Sequence, residues 1–153
     1  MIILLDSGPL GLITNPRGGA EAQDCKDWLQ ALTPAGHLAL VPEIIDYEHR
    51  RELLLANLVQ AIRRLDGFKA LGAYLPVSEE AYLQAAEFWA AAHRQGLPTA
   101  DRFALDADVI LAAQAVILDP AQWQQSGQAV MIATTNVGHL SRFADARLWR
   151  DIA

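Results

Sequence analysis

Apolar residues recur along the chain in two rhythms. Four short continuous runs, Ile2–Leu5, His37–Val41, Ala73–Val77 and Ala129–Ala133, read as strands. Between them the spacing turns helical. Glu21–Leu32 carries Cys25, Trp28, Leu29 and Leu32 on one face and stops before Pro34. Pro42 suits a first helical turn and opens a helix through about Leu55. A further helix runs from about Leu58 to Leu71, with Gly67 as its weak point. Ser78 is a good N-cap for Glu79–Gln95, and Gly96 a good stop. Asp106 or Asp108 opens a last helix that ends before Pro120. Strands alternating with helices predict an α/β fold around a mainly parallel sheet. In such folds ligands collect beyond the carboxyl ends of the strands. The residues to inspect are therefore the polar ones that follow each apolar run.

Asp6 follows the first run at once, before Ser7, Gly8 and Pro9. That tetrapeptide reads either as a turn or as a carboxylate held at the rim of a central strand. Glu48 lies within the Pro42 helix and shares a stripe with Ile44, Ile45 and Leu55. A carboxylate on an apolar face needs a partner, and Arg50 or Arg51 could supply one. Asp106 and Asp108 both stand at the mouth of a helix that is apolar almost all round. One of them is explained by capping; the second is surplus. Thr134, Thr135 and Asn136 follow the last run, and His139 comes three residues later. Asn136 alone reads as a turn residue and His139 alone as a surface histidine.

Folding the chain as α/β converges Asp6, Glu48, Asp108 and Asn136 at one sheet edge. Three carboxylates there repel unless protonated or bridged by a cation. Hard oxygen ligands suit Mg²⁺ or Mn²⁺ rather than zinc, and such a site can activate water against a phosphodiester.

Composition constrains this picture. With 18 Asp plus Glu against 12 Lys plus Arg, the net charge is −6, which speaks against coating a nucleic acid with a basic surface. It leaves room for a small local site that handles phosphate through metal ions. Apolar residues at 52% exclude a disordered chain. A single cysteine, Cys25, excludes an internal disulfide and a cysteine-based zinc site, and reads as a packed thiol. No apolar stretch is long enough for a signal or a membrane span, so a soluble, cytoplasmic protein is expected.

Four segments in order resemble the PIN-domain family, in particular the toxin ribonucleases of bacterial VapBC toxin–antitoxin pairs. They are Ile3-Leu4-Leu5-Asp6-Ser7; Val41 through Glu48 with Arg50-Arg51-Glu52-Leu53; Asp108 through Ala115; and Ile132 through Asn136 with His139 and Phe143. The resemblance covers nearly the whole chain. It implies one PIN-like domain over residues 1–153: a three-layer sandwich with a mainly parallel sheet of four to five strands flanked by helices. It makes Asp6, Glu48 and Asp108 the metal-binding acids and Asn136 the fourth site residue; position alone adds Asp106 as a further candidate. Ser7, Thr134 and His139 are supporting residues. His139 falls where a second acid often follows, so this chain departs from the acidic pattern and carries less negative charge there.

The resemblance also implies Mg²⁺ or Mn²⁺, a single-stranded RNA substrate, an antitoxin partner and a homodimer. The stretches Leu53–Leu71 and Tyr82–Trp89 are candidate dimer surfaces. Candidate phosphate contacts are Arg50 and Arg51, with Arg63, Arg64 and Lys69. The alternative is a catalytically weak PIN-like interaction module whose metal site has degenerated. A haloacid-dehalogenase-type phosphatase is disfavoured, because Gly8 occupies the place of its second Asp.

Overall fold

The computed structural model describes residues 1–98 and 106–153. Five parallel strands form one sheet in the order β3-β2-β1-β4-β5, with β1 Ile2–Leu5, β2 Leu38–Pro42, β3 Tyr74–Leu75, β4 Val130–Thr134 and β5 Ala146–Leu148. Ile2 pairs with Leu38 on one side and with Val130 on the other. All four residues of β1 are fully buried. That is why the run reads Ile-Ile-Leu-Leu without alternation: a central parallel strand has both faces covered.

Among the described residues six α-helices cover the sheet: α1 Ser7–Thr14, α2 Ala20–Leu32, α3 Glu43–Leu55, α4 Val59–Ala70, α5 Glu79–Arg94 and α6 Ala107–Ile117. Helix α6 is the most enclosed, with eight successive-turn residues from Ala107 to Ala115 buried, as its apolar circumference predicts. Ser78 caps α5, its side chain accepting from the Ala81 N–H. The predicted helix over 58–71 forms across Gly67 without interruption.

Three expectations are corrected. The Asp6-Ser7-Gly8-Pro9 tetrapeptide is the start of α1 rather than a turn. Asp6 is its N-cap, and Pro9 falls within the first turn, where no backbone N–H is needed. Pro42 ends β2 and stands before α3 instead of inside it. Leu55 is 84% exposed, because the last turn of α3 runs past the edge of the core; Leu53 is the buried residue there. The sheet has the five strands that the resemblance allows; the fifth, β5, left no apolar run, because Ala-Arg-Leu at a sheet edge is too short and too mixed.

Cys25 is buried, its thiol 3.8 Å from the Pro9 carbonyl, and burial pushes its pKa up to about 11. It is a packing residue. Among the described residues no helix is long and apolar enough to cross a membrane.

Candidate active site

The parallel register decides what meets at the carboxyl edge of the sheet. Leu5 pairs with Ala133, so the residues that follow, Asp6 and Thr134, come side by side. The Thr134 hydroxyl donates to Asp6 Oδ2 at 2.6 Å. The Ser7 N–H donates to Asp6 Oδ1 at 2.6 Å, and the Ser7 hydroxyl lies 3.4 Å from the same oxygen. Asp6 is thus gripped from both sides while still capping α1.

Glu48 arrives from the second turn of α3, and Asp108 from the first turn of α6. Asp106 takes the capping duty, its Oδ1 accepting from the Val109 N–H at 3.4 Å. Asp108 is therefore released from capping. It faces His139, whose Nδ1 lies 3.3 Å from Asp108 Oδ2. Asp6, Ser7, Glu48, Asp108, Thr135, Asn136, His139 and Leu140 line one cleft of about 230 Å³.

The electrostatics follow from this convergence. Burial pushes the Glu48 carboxyl above its ordinary range, and the charges of Asp6 and Asp108 push it further; Arg51 and the Ser7 hydroxyl pull it part of the way back. Asp108 is raised by burial and by Asp6, against the hydrogen bond from His139. Two acids that resist ionisation beside a third form an electrostatic well for a cation. The donors are carboxylate oxygens, so the chemistry suits a hard divalent ion such as Mg²⁺ or Mn²⁺. Among the described residues no three His, Cys, Asp or Glu side chains already stand as a metal cage. Asp6, Glu48 and Asp108 are the side chains that could hold the ion on drawing together.

Not every candidate joins the cleft. Asp106 is 6% exposed and lies outside the cleft lining. Asn136 lines the cleft, but its Oδ1 accepts from the Gly138 N–H at 3.1 Å and its own N–H donates to Thr134 Oγ1 at 2.9 Å. Its first task is to hold the loop after β4. Arg50 is taken up by Asp46 and Asp66, both at 2.8 Å. Arg51 lies over Tyr47 and 3.5 Å from Glu52, while Lys69 lies 4.2 Å from the centre of the Tyr74 ring. Thr135 and Leu140 belong to the lining and were not singled out by sequence. Thr135 gave a signal in its contact partner: a Cβ on Gly8 would stand 2.8 Å from Thr135 Cγ2, so only glycine fits at that place in α1.

A larger cavity, about 670 Å³, lies between α5, the end of α6 and Trp123. It contains none of these acids. Size and chemistry disagree here, and the chemistry belongs to the smaller cleft.

A five-stranded parallel sheet in the order 3-2-1-4-5, flanked by helices, is a PIN-like fold. Solved structures make the likeness particular. The chain is similar to VapBC2 from Rickettsia felis bound to a DNA fragment from its promoter, at 16% identity over 97% of this chain and 99% of that one, with a TM-score of 0.68. It is similar to FitAcB from Neisseria gonorrhoeae, at 18% identity over 98% and 99%, TM-score 0.64. It is likewise similar to VapBC-1 from nontypeable Haemophilus influenzae, at 16% identity over 99% and 100%, TM-score 0.64. No protein-family model and no curated protein sequence matches the chain.

Proposed function

We propose that the protein is a metal-dependent endoribonuclease that hydrolyses phosphodiester bonds of single-stranded RNA, and the toxin of a toxin–antitoxin pair. One observation carries the reading: Asp6, Glu48 and Asp108, from three distant segments, line a single cleft at the carboxyl edge of a parallel sheet. Evolution of a stable fold alone would not place three mutually repelling acids there.

Asp6, Glu48 and Asp108 would hold Mg²⁺ or Mn²⁺. The bound ion supplies positive charge for the phosphoryl oxygens and lowers the pKa of a water. The remaining work falls to the chain. The Ser7 N–H and Thr134 fix the direction of the Asp6 lone pairs. His139 orients Asp108 from outside the helix. Asn136, accepting from the Gly138 N–H, shapes the loop after β4 that lines the cleft. An antitoxin partner is part of the proposal, supported by the fold neighbours, which are solved as VapBC and FitAB assemblies. A cytoplasmic homodimer is also part of it. Exposed Leu54, Leu55, Leu58 and Val59 offer an apolar surface to a partner.

The test is cleavage of a long single-stranded RNA with Mn²⁺, with chelator, and with Asp108→Asn. Cleavage should need the metal and fall by orders of magnitude in the variant, whose helix keeps its cap on Asp106. Wild-type cleavage by Asp108→Asn would refute the assignment. A second reading, a PIN-like interaction module with a degenerate site, is favoured by Asn136 and His139 standing where more acid would strengthen metal binding. A folded protein that binds no Mn²⁺ or Mg²⁺ at millimolar concentration would decide for the module.

A further inference from the structure

Helix α1 links the acidic cleft to a second charged feature. Its first residues, Ser7 and the cap Asp6, lie in the cleft; its C-cap is Asn15, eight residues or roughly 12 Å further on. There the Asn15 carbonyl accepts from Arg64 Nη1 of α4 at 2.8 Å and from Lys26 Nζ of α2 at 3.2 Å. Arg17 stands two residues on, and its N–H donates to Asn15 Oδ1 at 2.9 Å. Gly18 allows this loop to lie against α2. A Cβ there would collide with Ala22 Cβ and stand 3.5 Å from Lys26 Nζ.

Two cationic side chains from two helices thus meet on one carbonyl at the end of α1, and Arg17 follows two residues on in the chain, its contact to Asn15 made by its backbone. The negative end of a helix dipole accounts for one cation at a terminal carbonyl; it does not require a second. Among the described residues, Arg17, Lys26 and Arg64 have no carboxylate within ion-pair distance, whereas Arg50, Arg51, Arg147 and Arg150 do. In a chain of net charge −6, acids are plentiful. A local surplus of unpaired positive charge, on a loop packed down by glycine, has the chemistry of a phosphate-holding surface.

We propose that Arg17, Lys26 and Arg64 hold phosphates of the RNA strand at a distance from the bond that is cut, with α1 as the spacer between the two. This rests on the ribonuclease reading for its substrate. The strand runs from the acids, where its scissile phosphodiester sits, to the basic cluster, which holds a phosphate further along. The three residues bind substrate and take no part in the chemical step.

The experiment compares wild type with Lys26→Gln/Arg64→Gln. Binding of a labelled single-stranded RNA is followed against salt in the Asp108→Asn background with chelator. Removing two phosphate contacts should make the slope of log K against log salt shallower by about 1.4, at ~0.7 per contact on a single strand. In the active background KM should rise and kcat stay, for an RNA long enough to span α1. A dinucleotide substrate should be cleaved equally by both. Lys26→Arg/Arg64→Lys should keep the wild-type slope, which ties the effect to positive charge at these positions rather than to the particular side chain. An unchanged slope in a variant with native circular dichroism and Tm would overturn the proposal. So would an unchanged slope together with lost affinity for a poly-glutamate peptide, which would make the cluster a protein-docking site. Because binding is read without catalysis, a wild-type protein that cuts no RNA would sink the ribonuclease reading, while the salt slope still decides the basic cluster.

Discussion

Thr134 and Asp6 are 128 residues apart in the chain and 2.6 Å apart in space, the hydroxyl donating to Oδ2. This bond ties the end of β4 to the end of β1 and aims the acid that opens the cleft. Thr134 is fully buried, so its loss leaves Asp6 Oδ2 without a donor. Thr134→Val should cost ~1–3 kcal/mol of stability and weaken Mn²⁺ binding. Thr134→Ser should retain both. Urea unfolding and metal titration read the two effects, and a Val variant with wild-type metal affinity would remove Thr134 from the site.

Gly8 marks the closest approach of α1 to the loop after β4. A Cβ would meet Thr135 Oγ1 and stand 3.0 Å from Thr135 Cβ, an atom that cannot swing away. Gly8→Ala should therefore push the loop and helix apart, destabilising by ~1–3 kcal/mol and lowering cleavage more than a distant surface change would. The double variant Gly8→Ala/Thr135→Gly should recover most of the stability if contact is the cause.

Arg50 is a structural cation. It bonds Asp46, which is only 7% exposed, and reaches Asp66 on α4. Arg50→Ala strands the buried Asp46 carboxylate and should cost ~1–3 kcal/mol, a figure kept low because Arg50 itself is partly solvated. Metal affinity should be unchanged. A selective loss of RNA binding, with native stability, would return Arg50 to the list of phosphate contacts.

The raised carboxyls of Glu48 and Asp108 make a signed prediction about pH. Above the ordinary range of 3.8 to 4.5, the unfolded chain has released these protons while the native state still holds them. Native protein then binds more protons than unfolded protein, and stability falls as pH rises through that window. Metal-free protein should lose Tm on going from mildly acidic to neutral pH, and Glu48→Gln should flatten the loss. Mn²⁺ at neutral pH should raise Tm again, adding about 2.7 kcal/mol of stability at a hundredfold excess over Kd. A Tm indifferent to millimolar Mn²⁺ would count against the metal site.

The first four strands and the helices from α2 onward were legible in the sequence, because buried parallel strands and an all-apolar helix leave long apolar runs; α1 and β5 were not. Ile2–Leu5 showed as a strand, but the residues after it read equally as a turn, and only the structure shows that they begin a helix capped by Asp6. The division of labour between Asp106 and Asp108 was not legible, since either can cap a helix; backbone geometry at residue 106 made that choice. Nor were the fates of the arginines. Asp46 reaches Arg50 from one turn back on α3 itself, but only packing of α4 against α3 and α1 adds Asp66 to Arg50 and leaves Arg64 with a carbonyl. Local pattern determines which residues are buried and which are charged. Which charge meets which is a matter of distances between segments far apart in the chain, and those exist only once the sheet has set its register.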